Sequence, residues 1–233
     1  MPIDTETGTD IGTINEIVRT LFGESAQTVD IVILLTILTL LPSILMMLTG
    51  FTRIIIVLSF IRQALGMQQT PPNQVLIGLA LFLTFFVMQP VFTKVYDEAY
   101  VPFTEGQLTQ EEFLEGAMGP TREFMFGQVF KSDLNFFVDM SGQEFEEELE
   151  LDDVPSSVLI PAFITSEIKH AMFIGFMIYL PFIVIDMIVA STLMSMGMMM
   201  LPPAMISLPF KVLLFVMVDG WQLIIGSLMQ SFL

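Results

Sequence analysis

Long stretches without a charged side chain constrain this sequence more than any other feature. No Asp, Glu, Lys or Arg occurs from Ile31 to Thr52 or from Gln63 to Thr93, and between Ala171 and Phe210 the only charged side chain is that of Asp186. Each run is long enough for a helix that crosses a bilayer, which needs about 20 apolar residues. The pattern therefore predicts an all-α, membrane-associated fold.

The apolar segments are predicted to pair into two long helical hairpins. The first spans residues 31–92, with "QQTPPNQ" as its loop, because proline suits a turn and the first turn of a helix. The second spans residues 159–233 and is divided by "SMGMMMLPP". A polar segment, residues 1–30, precedes them and does not resemble a signal peptide, since no basic region followed by an apolar one occurs there. An acidic, partly helical insert, residues 93–158, separates the two hairpins.

The insert carries most of the negative charge of the chain. It holds 16 acidic and 3 basic side chains, so 16 − 3 = 13 negative charges lie there, against a net charge of −17 for the whole chain. Thr109 precedes Glu112 by three residues, which is the spacing of a capping box. The run of like charge at 144–153 predicts a solvated loop. Arg53 and Arg62 place the first hairpin's loop in the cytoplasm, and therefore the insert outside.

Composition excludes several classes of protein. Hydrophobic residues make up 54% of the chain and charged residues 14%, whereas soluble domains carry about 25% charged residues. The absence of cysteine excludes disulfides, cysteine zinc sites and cysteine nucleophiles, and the single histidine, His170, cannot form a multi-histidine metal site. There is no basic stripe for nucleic acid and no P-loop. We therefore expect no metal, no cofactor and no nucleic-acid partner.

Four of the ionisable residues in or beside the second hairpin are candidates for a functional role: Glu167, Asp186, Lys211 and Asp219. A charge at the middle of a membrane helix costs about 2.5–3.5 kcal/mol, so each residue needs a partner or water. A structural pair of Lys211 with Glu167 or Asp219 is the favoured interpretation. An independent ion or proton channel that uses Asp186 and Asp219 is the alternative. An intramembrane aspartyl protease is disfavoured, because "FVMVDGW" lacks the Gly-x-Gly-Asp pattern of presenilin-type enzymes.

Three consecutive methionines stand in the connection that divides the second hairpin. Met198, Met199 and Met200 follow a glycine and precede two prolines, so no regular helix face exists for them to pack. Core filling, the usual role of methionine, explains them poorly. Several copies of this loop around one axis would form an apolar, deformable ring that closes a pore by excluding water.

Several ordered motifs resemble one known family. "PAFITSEIKHAMFIGF" (161–176) and "PFKVLLFVMVDGW" (209–221) resemble the two signatures of the FliP family (SctR-type), the export-gate proteins of type III secretion. The segment 52–92 is similar to the first hairpin of that family, and "SMGMMMLPP" to its methionine loop. The segment "PPNQVLIGLALFLTFFVMQPV" resembles the corresponding segment of the flagellar branch of this family.

The resemblance implies a non-enzymatic, pore-forming subunit of the flagellar export gate in the bacterial inner membrane and flagellar basal body. It implies a homo-oligomer of about five copies, packed as a helical cone. Partners would be FliQ-like and FliR-like gate subunits, FlhB-like and FlhA-like components, membrane lipid and unfolded export substrates. The acidic insert would lie on the periplasmic side. Slanted hairpins packed on neighbouring subunits would accommodate prolines that break straight spans: Pro42, Pro90, Pro181 and Pro209.

The same resemblance assigns roles to individual residues. Met198, Met199 and Met200 would form the gasket that closes the pore. Glu167 and Lys211 would form an ion pair between subunits. The remaining ionisable positions would be buried and structural: Asp186, Asp219 and Arg53.

Overall fold

A computed structural model describes residues 28–67, 69–142, 150–198 and 200–232, and every regular element in these ranges is helical. The chain divides into two compact units, residues 1–45 and 46–233. Helix α1, Thr28–Met47, contains every described residue of the first unit. The second unit contains all other described helices and both hydrophobic cores. The prediction of an all-α fold is therefore confirmed for the described residues.

The second unit begins with a helical pair. Helix α2 spans Phe51–Ala64, and helix α3 spans Asn73–Val95 and begins directly after Pro72, as the proline pair predicts. Arg62 holds the turn between them, because its guanidinium donates to the side-chain oxygen of Asn73 at 2.5 Å. A π-helical turn, Tyr96–Tyr100, and the short helix α4, Val101–Thr104, continue α3 without a break.

The acidic insert contributes two helices, α5 (Gln110–Gln128) and α6 (Lys131–Ser141). The predicted capping box is confirmed, since the Thr109 hydroxyl accepts from the Glu112 N–H and the Glu112 carboxylate accepts from the Thr109 N–H at 2.7 Å. These bonds from the Thr109 backbone and hydroxyl lower the pKa of the Glu112 carboxyl below its ordinary value. Most of the acidic run 144–153 lies outside the described residues.

Three helices complete the chain: α7 (Ser156–Ser195), α8 (Pro203–Met217) and α9 (Gly220–Gln230). With 40 residues, α7 is about 60 Å long at 1.5 Å per residue. The four prolines expected to break straight spans lie inside helices instead, so they do not divide the apolar segments. A proline removes one backbone hydrogen bond, which a long helix in an apolar context tolerates. Those positions are Pro42, Pro90, Pro181 and Pro209.

Fewer segments can cross a membrane than the four apolar runs suggest. By length and composition, two continuous helices of the described residues qualify, Asn73–Thr104 and Ser156–Ser195. The pair α8 and α9 qualifies only if both helices together form one span, and they are bent by 66° with respect to each other. The structure therefore has two helices that can cross a membrane. There are three such segments if α8 and α9 together are counted as one span.

Two buried clusters hold the second unit together, and α7 takes part in both. One cluster joins α2, α3 and the later part of α7 to α8 and α9, with Ile54, Leu58 and Ile61 fully buried. The other joins α5 and α6 to the first turns of α7, around Met125 and Phe163. Because α7 runs along both clusters, its side chains can connect the insert, α2 and the C-terminal helices.

Candidate functional site

Arg53, near the start of α2, is the centre of a buried polar site. Its Nε donates to Glu167 Oε2 at 3.1 Å, and its Nη2 donates to the other carboxylate oxygen of Glu167 and to Gln128 Oε1 at 3.0 Å. Its Nη1 donates to the carbonyl oxygen of Ser231 at 2.7 Å and to the Ser231 hydroxyl at 3.1 Å. A guanidinium has five N–H donors, so every one of them is used.

The pair of Arg53 and Glu167 is sealed from solvent. Both side chains have 0% exposure, and no buried side-chain nitrogen or oxygen among the described residues lacks a hydrogen-bond partner. Burying two charges is tolerated only when they are paired and the remaining donors are satisfied. The planar, bidentate geometry suits arginine and not lysine. This site therefore fixes α2, the end of α5, α7 and the C-terminal residues in one arrangement.

The C-terminal residues complete the site through an aromatic ring. The Phe232 ring lies under the guanidinium of Arg53, with the ring centroid 4.0 Å from Cζ, a cation–π geometry. Gly50 faces the same ring, and a Cβ added there would lie 2.7 Å from two ring atoms. Gln128 Nε2 also donates to the Phe232 carbonyl at 3.2 Å. Phe232 is therefore an integral part of this buried site.

The motif "SEIKH" on α7 supplies a second polar contact, directed at the acidic insert. Ser166 accepts from the Phe130 backbone N–H at 3.1 Å and donates to Asp133 Oδ2 at 2.8 Å, and Lys169 pairs with Asp133 Oδ1. His170 stacks on the Phe130 ring with centroids 4.1 Å apart. The motif therefore docks the start of α6 on α7. Sequence reasoning missed Asp133, because nothing local distinguishes it from other acids of the insert.

A third polar contact connects α7 to α8. Lys211 Nζ donates to Asp186 Oδ2 at 2.6 Å, and the Ser207 hydroxyl donates to Asp186 Oδ1 at 2.5 Å. Lys211 is buried, whereas Asp186 is half-buried. Both carboxylate oxygens are thus engaged by groups on α8. The contact holds the two helices that flank the methionine connection.

The expected pair of Glu167 with Lys211 is not formed within the chain. Glu167 bonds to Arg53, and Lys211 bonds to Asp186. These are the contacts formed within one chain, and the pair of Glu167 with Lys211 between subunits stays a prediction. The structural role of Arg53 and Asp186 stays a prediction as well.

Asp219 is exposed within the single chain. It adopts a left-handed backbone conformation with φ of 50°, at the bend between α8 and α9. A side chain at the next position would not fit, since a Cβ added to Gly220 would lie 2.4 Å from the Phe215 ring. Asp219 and Gly220 thus form the bend, and Asp219 presents its carboxylate to the outside.

The methionine connection lies at the end of the α7–α8 pair, and its described side chains are exposed. Met198 is 44% exposed and Met200 is 98% exposed, while Gly197 takes a positive φ of 77° that turns the chain. Met199 lies outside the described residues. The arrangement presents thioether side chains away from the core of the chain.

Much of the surface of α7, α8 and α9 is apolar and exposed. A groove of about 610 Å³ lies between the middle of α7 and α9, and a second of about 460 Å³ lies between α7 and α8. Phe173 and Met177 line the first groove, and Ile188 and Phe210 line the second. Exposed apolar surface of this extent marks contact with protein or membrane. No cluster of metal-ligating side chains occurs in the described ranges.

Comparisons with known proteins agree on one family. A sequence model of the FliP family matches residues 34–228. The chain is 57% identical to the flagellar biosynthetic protein FliP of Pectobacterium carotovorum, over 88% of this chain and 79% of that protein. It is 53% identical to the protein of the same name from Bacillus subtilis, over 89% and 93% of the two chains. The corresponding protein of Caulobacter vibrioides is 50% identical, over 90% and 78%.

Proposed function

This chain belongs to the FliP family, and on that premise we propose that it is a pore-forming subunit of the flagellar type III protein export gate. It acts in flagellum biogenesis and protein export and is a membrane protein. Several copies surround a path through which unfolded flagellar proteins cross the inner membrane. The chain performs no chemistry on its substrates.

The exposure of the methionine connection carries this proposal. A loop of apolar side chains is costly to leave in water, yet Met198 is partly and Met200 almost completely exposed in its own chain. In an assembly, copies of this loop converge on the central axis and close it, with Met199 as the third member. Methionine is suited to that task, because its unbranched thioether side chain repacks around substrates of different size.

The remaining apolar surface provides the contacts of the assembly. The grooves beside α7 accept neighbouring copies and the FliQ-like and FliR-like subunits, and FlhB-like and FlhA-like components lie next to the assembly. Membrane lipid covers what these proteins leave exposed. The acidic insert lies on the periplasmic side, because Arg53 and Arg62 place the loop of the first hairpin in the cytoplasm.

The buried ionic contacts are structural in this proposal. Arg53 with Glu167 and Lys211 with Asp186 hold the helices that carry the methionine connection. An independent ion or proton channel built on Asp186 and Asp219 is not favoured, because both oxygens of Asp186 are occupied by Lys211 and Ser207. An aspartyl protease is disfavoured for the same reason.

The proposal is tested in a flagellated bacterium that lacks the gene for this chain. Flagellar proteins are expected in the culture medium only when the chain is supplied from a plasmid. The affinity tag is placed at the N-terminus, since Ser231 and Phe232 belong to the Arg53 site. The purified material should contain several copies of the chain together with other gate subunits. A monomer that conducts ions alone in vesicles would overturn the proposal.

A further inference from the structure

One face of α9 is polar although the helix is otherwise apolar. Asp219, Gln222, Gly226 and Gln230 follow each other at intervals of three or four residues, which places them on the same side of the helix. The opposite side packs into the core through Ile224 and Leu228, which are buried. The helix therefore separates an apolar interior from a polar outer strip.

This strip forms an open notch of about 410 Å³. Its floor is at Gly226, where an added Cβ would meet nothing within 4 Å. The side chains of Asp219, Gln222 and Gln230 are exposed and form no hydrogen bond with any residue that the structure describes. The hydroxyl of Ser227, which also lines the notch, donates to its own helix at 2.8 Å. Two amides and a carboxylate are thus left for an external partner.

In a membrane protein, polar side chains without a hydrogen-bond partner indicate a surface that contacts water or a polar ligand. In hydrocarbon or in a dry subunit contact, a polar group without a hydrogen bond is strongly unfavourable. The apolar groove that adjoins the notch, and shares Val218, Leu223 and Ser227 with it, is the surface suited to a protein neighbour. The notch itself is suited to water and to a polar ligand.

We propose that this notch lines the export path and binds the main chain of the unfolded polypeptide in transit. The inference rests on the proposed function. A glutamine amide offers two donors and an acceptor, which match the carbonyl and N–H groups of a peptide bond. Such contacts do not depend on the sequence of the substrate, which a channel for many different proteins requires. Asp219 adds an acceptor for N–H donors at the bend where the notch begins.

The chain contains no cysteine, so single-cysteine variants can be made without altering the background. The experiment uses Gln222→Cys and Gln230→Cys in the assembled gate, with variants first shown to support secretion. An export substrate with one cysteine in its unfolded part is halted by a folded domain at its end. Leu213→Cys, an exposed apolar position on α8, is the matched control. Met198→Cys reports on the proposed gasket.

Disulfides are expected between the halted substrate and the variants at Gln222 and Gln230, and not with the variant at Leu213. Trapping at Met198 without trapping in the notch would overturn this inference and leave the proposed function intact. Disulfides between two copies through Gln222, or equal trapping at Leu213, would also overturn it. If the halted substrate is trapped at none of these positions, including Met198, the proposed function fails as well.

Discussion

Arg53 and Glu167 join α2 to α7 through a bidentate ion pair that has no exposed surface. The three further donors of Arg53 bind Gln128 and Ser231, so one guanidinium connects four parts of the chain. Apolar packing alone can slide along a helix, because it is not directional, whereas this set of bonds has one geometry. The site therefore sets the register of α7 against α2.

Loss of one partner of this pair is expected to destabilise the chain strongly. Glu167→Gln removes the charge while keeping the size of the side chain, and a buried, uncompensated guanidinium costs about 3–5 kcal/mol. Thermal unfolding of the detergent-solubilised protein measures the loss. Glu123→Gln is the control, because Glu123 pairs with Lys94 at the surface and its removal should change little.

The identity of the partners is tested by charge reversal. Glu167→Lys and Lys211→Glu should each impair assembly, and the double variant should be no better than the single variants, because the partners within the chain are Arg53 and Asp186. Gel filtration of the purified complexes measures assembly. If the double variant assembles better than the single variants, the pairing between subunits is supported and the two contacts within the chain are contradicted.

Asp186 and Asp219 should respond differently to neutralisation. Asp186→Asn weakens the contacts with Lys211 and Ser207 and is expected to cost about 1–3 kcal/mol. Asp219→Asn should leave folding unchanged, because Asp219 is exposed and asparagine also tolerates a positive φ. Unfolding and secretion are measured for both. If both variants assemble normally and lose ion conductance together, the channel interpretation is correct.

Close packing of α7 on α2 depends on Gly175. A Cβ added there would lie 2.5 Å from the Phe60 ring, so Gly175→Ala should destabilise the chain by about 1–3 kcal/mol. Gly78→Ala is the control, because Gly78 is also within a helix but has nothing within 4 Å of the added atom. Alanine should stabilise α3 there by about 0.5–1 kcal/mol. Equal unfolding temperatures for the two variants would contradict the close approach.

The start of α6 should detach from α7 when Asp133 is removed. Asp133→Ala leaves Ser166 and Lys169 without their acceptor, and a loss of about 1–3 kcal/mol is expected. Asp139→Ala, an exposed position on the same helix, should have little effect. Hydrogen exchange of the α6 amides measures the change locally. Protection that is the same in both variants would show that apolar packing alone holds α6.

Replacement of the methionine connection tests the gasket. Alanine at Met198, Met199 and Met200 shortens the side chains around the proposed axis, so cells should become permeable to small solutes while secretion continues. Met205→Ala, another exposed methionine on α8, is the control and should leave permeability unchanged. Equal permeability in the two strains would argue against a closing role for the connection.

Composition, charge-free runs and local residue spacing were sufficient to predict the helical class, the capping box at Thr109 and Glu112, and the start of α3 after Pro72. These features depend on neighbours within a few residues, which the sequence places together. The ordered motifs likewise identified the family correctly. The prolines inside helices were misjudged, because local propensity takes no account of an apolar context in which a long helix continues past a proline.

The sequence by itself determined that this chain is helical, apolar and a member of the FliP family, because charge-free runs and ordered motifs can be read directly from the order of the amino acids. Only the tertiary structure decided which charges meet. Glu167 had several possible cationic partners, and Arg53 is its partner although it lies 114 residues away. Such a choice depends on how α2, α5, α7 and the chain end pack together. Buried charges are paired by proximity in space, and no local pattern in the sequence encodes that distance.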